Sequence, residues 1–285
     1  MEAVTEQPDT PCSLEGRFGF GENWRSFLQV LDEPRIAESE AALKALLRLP
    51  DLTGRRFLDI GSGSGLSSLS ARRLGASVRS FDFDPSSVWC TTQLRKRFYP
   101  DDPDWTVSQG DVLDESFLAT LGHFDVVYSW GVLHHTGDMW AALDRVDGLV
   151  APQGTLCLAL YNDQGSYSRV WKTVKRTYNL LPRFLQLPYA LLVYAPLELR
   201  HILHCTLTLQ LGGYFRRLLQ GRSARGMNRW HDIVDWVGGW PFEVAKPEEV
   251  FRFFRDRGYA LEDLTTCGGG LGCNQYLFRK TDDRK

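Results

Sequence analysis

The chain has 285 residues, 43% of them apolar, and a formal net charge of −2. That is enough for one large domain, or one domain with an insertion, to close a core without disulfide or metal staples. Six scattered cysteines (Cys12, Cys90, Cys157, Cys205, Cys267, Cys273) form no CxxC and no zinc spacing with the six histidines, so no metal site and a reducing, cytoplasmic setting are expected.

The N-terminal MEAVTEQPDTP is acidic and polar, unlike a signal peptide, and reads as a disordered tail. The aromatic, glycine-punctuated stretch from Phe18 to Trp24 precedes a helix predicted from about Arg35 to Leu49, whose Ile36, Leu43, Leu46 and Leu47 suit packing on a sheet. Residues Arg55 to Gly65 then carry the strongest signal. Phe57, Leu58 and Ile60 form a short apolar run that ends in Gly61-Ser62-Gly63-Ser64-Gly65, and a helical pattern with Leu66, Leu69 and Leu74 follows. Strand, glycine turn and helix N-terminus together let a ligand approach main-chain N–H groups. The turn reads GxGxG; Leu66 stands where the dinucleotide fingerprint needs its third glycine.

A second strand pattern, Ser77 to Phe81, ends at Asp82, a carboxylate able to accept both hydroxyls of a ribose. A third, Trp105 to Gln109, ends in Gly110-Asp111-Val112. The fourth, Phe124 to Tyr128, runs into Ser129-Trp130-Gly131-Val132-Leu133-His134-His135. After a helix, Pro152-Gln153-Gly154 turns into a fifth strand, Thr155 to Tyr161.

In the order LDIGSGSG, SFDFDPSSV, QGDV, FDVVYSWGVLHH and LVAPQGTL, these pieces resemble the class I S-adenosylmethionine-dependent methyltransferases over residues 55–162. The resemblance implies a Rossmann-like, doubly wound α/β sheet of seven strands with the last one antiparallel. It implies that Asp59 and the turn Gly61, Ser62, Gly63, Gly65 and Leu66 hold the methionine end of S-adenosylmethionine. It further implies that Asp82 takes the ribose hydroxyls, Phe83 lies against the adenine, Asp111 and Val112 meet its edge, and Trp130 faces cofactor or substrate. Phe20 and Trp24, ahead of the first strand, would fold over the cofactor; core packing is the competing reading. Gln153 departs from the family's usual PGG and leaves the turn type open.

Residues 163–240 are too long for a plain connection and are expected to be a helical insertion, a lid on a core formed by 54–162 and 241–285, with 1–53 as tail and covering segment. Between Asp163 and Arg229 there are eleven Lys or Arg against two acids, so this segment carries about +9 and the rest about −11. In its first predicted helix, Tyr167, Val170, Trp171, Val174 and Tyr178 form an apolar face, with Arg169, Lys172, Lys175 and Arg176 set opposite. Two more helices, Leu185 to Leu199 and His201 to Phe215, are expected, interrupted by prolines. Their charge-free runs fall short of the roughly 18 residues needed to cross a bilayer. A segment both apolar and cationic reads as a substrate-burying lid or as a contact on an anionic membrane through 163–229.

For chemistry, His134 and His135 follow the fourth strand at the carboxyl edge of the sheet, where such folds bind ligands, and are candidate bases. His231 and Asp235, spaced i, i+4 within the cluster Arg229 to Glu243, form a second candidate pair, with capping and packing as the plain alternative. Tyr161, Asn162 and Asp163 leave the fifth strand at the same edge. A last helix opens at Lys246-Pro247, and strands Ala260 to Thr265 and Gln275 to Arg279 flank a long glycine-rich turn. The expectation is a methyltransferase acting on a small or amphiphilic acceptor, anionic or lipid- or sugar-linked, first at a hydroxyl, and not on nucleic acid. A cofactor-binding but non-catalytic partner protein and a nicotinamide-dependent oxidoreductase are the alternatives, the latter disfavoured by Leu66.

Overall fold

The structure is a computed structural model that describes Trp24, Leu28 and residues 31–208, 236–268, 270 and 272–281. Helix α1 (Glu33–Leu47) is opened by Asp32, whose side chain accepts from the Arg35 N–H, and turns Ile36, Leu43 and Leu47 inward. The α/β body then alternates: β1 (Arg56–Ile60), α2 (Leu66–Arg73), β2 (Ser77–Asp82), α3 (Pro85–Phe98), β3 (Trp105–Gln109), α4 (Glu115–Ala119), β4 (Phe124–Trp130), α5 (Met139–Asp147) and β5 (Val150–Tyr161). Two helices, α6 (Ser166–Leu180) and α7 (Arg183–Leu207), precede α8 (Pro247–Arg255), β6 (Tyr259–Thr265) and β7 (Cys273–Lys280).

The strands form one seven-stranded sheet in the order β3-β2-β1-β4-β5-β7-β6. β1 to β5 are parallel, and β7 runs antiparallel between β5 and β6, as the resemblance implies. The order reverses between β1 and β4, so the loops leaving β1, β2, β3 and β4 converge at one carboxyl edge, where open α/β sheets take their ligands. Because side chains alternate along a strand, Leu58 and Ile60 of β1 enter one core layer with Phe81, Leu158 and Phe278, while Phe57 enters the other with Leu69, Trp105 and Tyr128.

Two expectations for the insertion are corrected. Arg183 to Leu207 is one continuous helix through Pro188 and Pro196, not two. A proline removes a single backbone hydrogen bond and crowds one carbonyl, a local penalty that a 25-residue helix absorbs. The inward face of α6 is also rotated from the one expected: Ser168, Trp171, Lys175 and Tyr178 are buried, while Tyr167 and Val170 are exposed. Lys175 lies four residues after Trp171 and thus on its side of the helix. A small cluster of Tyr178, Ala190 and Val237, with Val174, Tyr189, Val193 and Tyr194, ties α6 to α7. No helix among the described residues is long and apolar enough to cross a membrane.

Candidate active site

The glycine turn is built from main-chain bonds. Gly61 and Ser62 donate to the Phe81 carbonyl at 2.9 and 3.1 Å, and Gly65 donates to Ser62 at 2.8 Å before opening α2. Gly61 holds φ +75°, and a Cβ there would sit 2.4 Å from Val132 Cγ1, so only glycine fits against the loop after β4. Gly63 lies under the Trp24 indole, 3.0 Å from where its own Cβ would be. Ser62 Oγ pairs with Thr91 Oγ1 at 2.9 Å, locking the turn to α3.

Asp82 ends β2 beside this turn. Its Oδ2 accepts from Gly63 N at 2.9 Å and its Oδ1 from Asp84 N at 2.9 Å. A carboxylate offers about four lone-pair sites, so two hydroxyls could still be received. Loss of water around Asp82 raises its pKa to about 7, against the pull of these two N–H groups and with help from nearby Asp84 and Asp59. Next to it, an open cleft of about 580 Å³, its solvent mouth included, is lined by Ile60, Gly61, Phe81, Asp82, Phe83, Asp84, Gly110, Asp111, Val112, Val132, His135, Thr136 and Trp240. Carboxylates, apolar side chains and the main chain at Gly61 and Gly110 share this lining, a combination that fits an adenosine.

Five of the sequence-predicted cofactor residues thus share one cleft: Gly61, Asp82, Phe83, Asp111 and Val112. Asp59 is elsewhere. It projects to the opposite face of β1, buried, and accepts from Ser68 Oγ at 2.5 Å; Ser68 in turn pairs with Ser80 at 2.7 Å. Burial raises the Asp59 carboxyl to about 6. Trp130, 36% exposed, stacks on Tyr128 with centroids 5.5 Å apart and does not line the cleft.

The two neighbouring histidines have different surroundings. His134 is 1% exposed, takes the Tyr161 N–H on Nδ1 at 3.2 Å and packs its ring 3.8 Å from that of Tyr161. Burial holds its pKa well below the ordinary histidine range. His135 lines the cleft, and its Nδ1 lies 2.5 Å from the Pro241 carbonyl oxygen. Since a carbonyl only accepts, Nδ1 carries the hydrogen and Nε2 is the basic nitrogen. Burial, then the charge of Lys175, push the His135 pKa down to about 3. His231 and Asp235 lie outside the described residues.

A second, smaller cavity lies beyond the ring of Tyr161, which is 5.4 Å from that of His135. Tyr161, Asn162, Trp171, Lys175, Trp236, Phe242 and Gly272 line it. Asn162 is fixed by the Asn274 amide at 2.9 Å. Lys175, placed on the outer face by sequence reasoning, donates to the Trp236 carbonyl at 2.5 Å and sits 5.2 Å from the Phe242 ring centroid. Its position one turn after Trp171 was the available signal. Val132, Thr136 and Trp240 were also missed as cleft residues, although the loop and the aromatic cluster containing them stood out. Among the described residues, no group of three His, Cys, Asp or Glu side chains could hold a metal.

The cleft lies where the strand order reverses, the place at which open α/β sheets take their ligands. A family model described as a methyltransferase domain matches residues 34–206, and the chain belongs to this family of S-adenosylmethionine-dependent methyltransferases. It is similar to a tRNA U34 carboxymethyltransferase of Methylococcus capsulatus, 34% identical over 42% of this chain and 36% of the relative. It is also similar to a ubiquinone biosynthesis O-methyltransferase of Rhodopseudomonas palustris, 32% identical over 43% and 44%. The chain thus spans less than half the length of these relatives. The N-methyltransferase NodS of Bradyrhizobium japonicum, solved with S-adenosyl-L-homocysteine, matches in fold with a TM-score of 0.50 at 16% identity, covering 92% of this chain and 99% of that one.

Proposed function

We propose that this chain transfers the methyl group of S-adenosylmethionine to a hydroxyl oxygen of a small or amphiphilic acceptor seated between the cleft and α6. What carries the reading is His135: one ring, held by Pro241, belongs to the cofactor-type cleft and stands against Tyr161 of the second cavity. The cofactor supplies a methyl on a sulfonium; transfer makes the O–CH₃ bond, breaks S–CH₃ with its electron pair left on sulfur, and releases the acceptor proton. Asp82 would receive the ribose hydroxyls, and Phe83, Val112 and Val132 would enclose the base. His135 Nε2 would accept the hydroxyl hydrogen bond and aim the oxygen at the methyl; with so low a pKa the ring stays neutral, and the acceptor proton leaves to solvent as the O–CH₃ bond forms.

The acceptor class is tested with radiolabelled S-adenosylmethionine against phenolic, polyprenyl-phenolic and tRNA acceptors. Label on the phenols supports the reading. Label on tRNA alone overturns it in favour of a nucleic-acid acceptor, a reading that the 34% identical tRNA-modifying relative supports.

Peripheral contact with an anionic membrane belongs to the same proposal. Leu180, Phe184, Leu192, Leu199 and Leu207 are exposed along the end of α6 and α7, with Arg169, Lys172, Arg176, Arg183 and Arg200 also on the outside. Co-sedimentation with phosphatidylserine vesicles at low salt, lost with neutral vesicles, is expected; failure to co-sediment with either removes this part.

A further inference from the structure

Asn162 and Trp171 bring two unpaired hydrogen-bond donors to the wall of the smaller cavity. Asn162 follows β5 and is held by the chain entering β7: its main-chain N–H donates to the Gly272 carbonyl at 2.9 Å, and its side chain meets that of Asn274, also at 2.9 Å. Cys267 decides how the two amides are turned, because its main-chain N–H lies 3.1 Å from the Asn274 side chain. A main-chain N–H only donates, so Asn274 turns Oδ1 to Cys267 and Nδ2 to Asn162, which answers with its own Oδ1. The Nδ2 of Asn162 is the atom left over, and no described residue accepts from it. Trp171, in the second turn of α6, lines the same cavity, is 4% exposed, and its indole Nε1 has no hydrogen-bond partner among the described residues. Asn162 is 8% exposed. Buried donors without an acceptor are rare in folded proteins and are met where water or a ligand completes the site.

We propose that this cavity is a subsite for a carbonyl oxygen of the acceptor, which receives Trp171 Nε1–H and Asn162 Nδ2–H on its two lone pairs. A carbonyl has no hydrogen of its own to place, whereas a hydroxyl would bring one for which neither donor offers an acceptor. At about 290 Å³ with its mouth, against about 580 Å³ for the cleft, the cavity admits one substituent of a molecule. Tyr161, Trp236 and Phe242 supply aromatic faces for the carbons next to the oxygen. The Lys175 ammonium on the same wall is engaged by the Trp236 carbonyl and is not one of the two donors. This subsite rests on the acceptor reading above and narrows it: the hydroxyl to be methylated stands at His135, and a carbonyl on the same molecule stands past Tyr161, whose ring centroid is 5.4 Å from that of His135. An acceptor with an alkene in place of the carbonyl would fill the same space but leave two buried donors unpaired, and is rejected for that reason.

The probes are 4-hydroxyacetophenone and 4-isopropenylphenol, which differ in a C=O against a C=CH₂ of nearly the same shape. They are titrated by calorimetry into the full-length protein saturated with S-adenosylhomocysteine, below the pH at which either phenol ionises. The parent protein is expected to bind the ketone at least about tenfold more tightly than the alkene. Trp171→Phe keeps an aromatic ring without the N–H and should bring the two within about threefold, by weakening the ketone alone, with S-adenosylhomocysteine affinity changed less than about twofold. Asn162→Asp keeps the oxygen that Asn274 requires but sets a second oxygen where Nδ2 stood, and should weaken the ketone at least as much. Equal binding of the two probes by the parent overturns the inference with no variant involved, since water then serves the two donors as well as a ligand does. A preference for the ketone that persists in both variants overturns it, and so does failure of both probes to bind. A ketone preference in the parent with no methyl passed to the phenol from S-adenosylmethionine keeps the carbonyl subsite and removes the placement of the hydroxyl at His135. Loss of S-adenosylhomocysteine binding in the parent would instead remove the underlying cofactor-site reading.

Discussion

His135 Nδ1 lies 2.5 Å from the carbonyl oxygen of Pro241, 106 positions further along the chain. This bond joins the loop after β4 to the segment that leads into α8, and it fixes one tautomer of the candidate histidine that, among the described residues, lines the cleft. Substituting His135 by Gln keeps a donor of similar reach but removes the basic nitrogen. A kcat loss of about 10²-fold is expected from the misplaced acceptor oxygen, with S-adenosylhomocysteine affinity changed less than about threefold.

The same ring sets a pH expectation. Its folded pKa of about 3 lies below the ordinary 6.5, so on acidification the unfolded chain takes up this proton first. Stability contributed by the neutral ring is therefore complete above 6.5 and is lost as pH falls from there toward 3. The kcat profile should show no histidine limb between pH 5 and 7. An acid limb with a midpoint near 6.5 in stopped-time assays, absent from H135Q, would contradict the neutral-ring account.

Asp82 is shifted in the opposite direction. Its folded pKa is raised from 3.8 to about 7, so the protonated carboxyl contributes stability that is present below 3.8 and is lost as pH rises through 7. Ribose hydroxyls prefer the ionised form as their acceptor. Calorimetric affinity for S-adenosylhomocysteine should accordingly rise by up to about tenfold per unit as pH approaches 7 and level off above it. D82N should bind about 10–100-fold more weakly, from the loss of charge-assisted hydrogen bonds worth about 1.5–3 kcal/mol, and should lose the pH dependence.

Much of this was legible in the sequence because the signals are local. A strand ending in GxGxG, an acid closing the next strand and Asp111 after the third specify where backbone and carboxylates emerge, and the sheet order follows from right-handed crossovers. Asp59 shows the limit: its neighbours in sequence belong to the site, but strand alternation carries its side chain to the other face, to Ser68. Lys175 shows another. Residue type suggested solvent, whereas its inward position depends on Trp236 and Phe242, more than 60 residues away in the chain. The continuous α7 was missed because its apolar pattern was divided at Arg200, a charge that the helix carries on its exposed side.

The glycine turn yields a stability test. Gly61→Ala meets both a left-handed backbone and the Val132 side chain 2.4 Å away. The strain and the overlap together should cost about 2–4 kcal/mol in urea unfolding. Val132→Ala in the same chain removes the two methyls but keeps a Cβ 2.9 Å away, so it should recover only part of the overlap and leave at least the about 1–2 kcal/mol of backbone strain. Full recovery would show that the positive φ is not what requires glycine there.

At the start of β5, two adjacent residues should respond to opposite swaps. Gln153 holds φ +58°, a conformation in which a side chain crowds its own carbonyl, while its main-chain oxygen accepts from Arg279 Nη1 at 3.3 Å. Gln153→Gly keeps that main-chain bond and relieves about 1–2 kcal/mol of backbone strain. Part of this is offset by the greater freedom glycine has in the unfolded chain, about 0.4–1 kcal/mol, so a small net gain, read as a Tm rise of about 1–3 °C, is expected. Gly154 beside it has no positive φ, but a Cβ there would stand 2.7 Å from the Ala151 oxygen and 2.9 Å from Val150 Cγ1. Gly154→Ala must push main chain aside where β5 pairs with β7, and should lower Tm. If both swaps move Tm the same way, strain at Gln153 is not what distinguishes this turn from one with paired glycines.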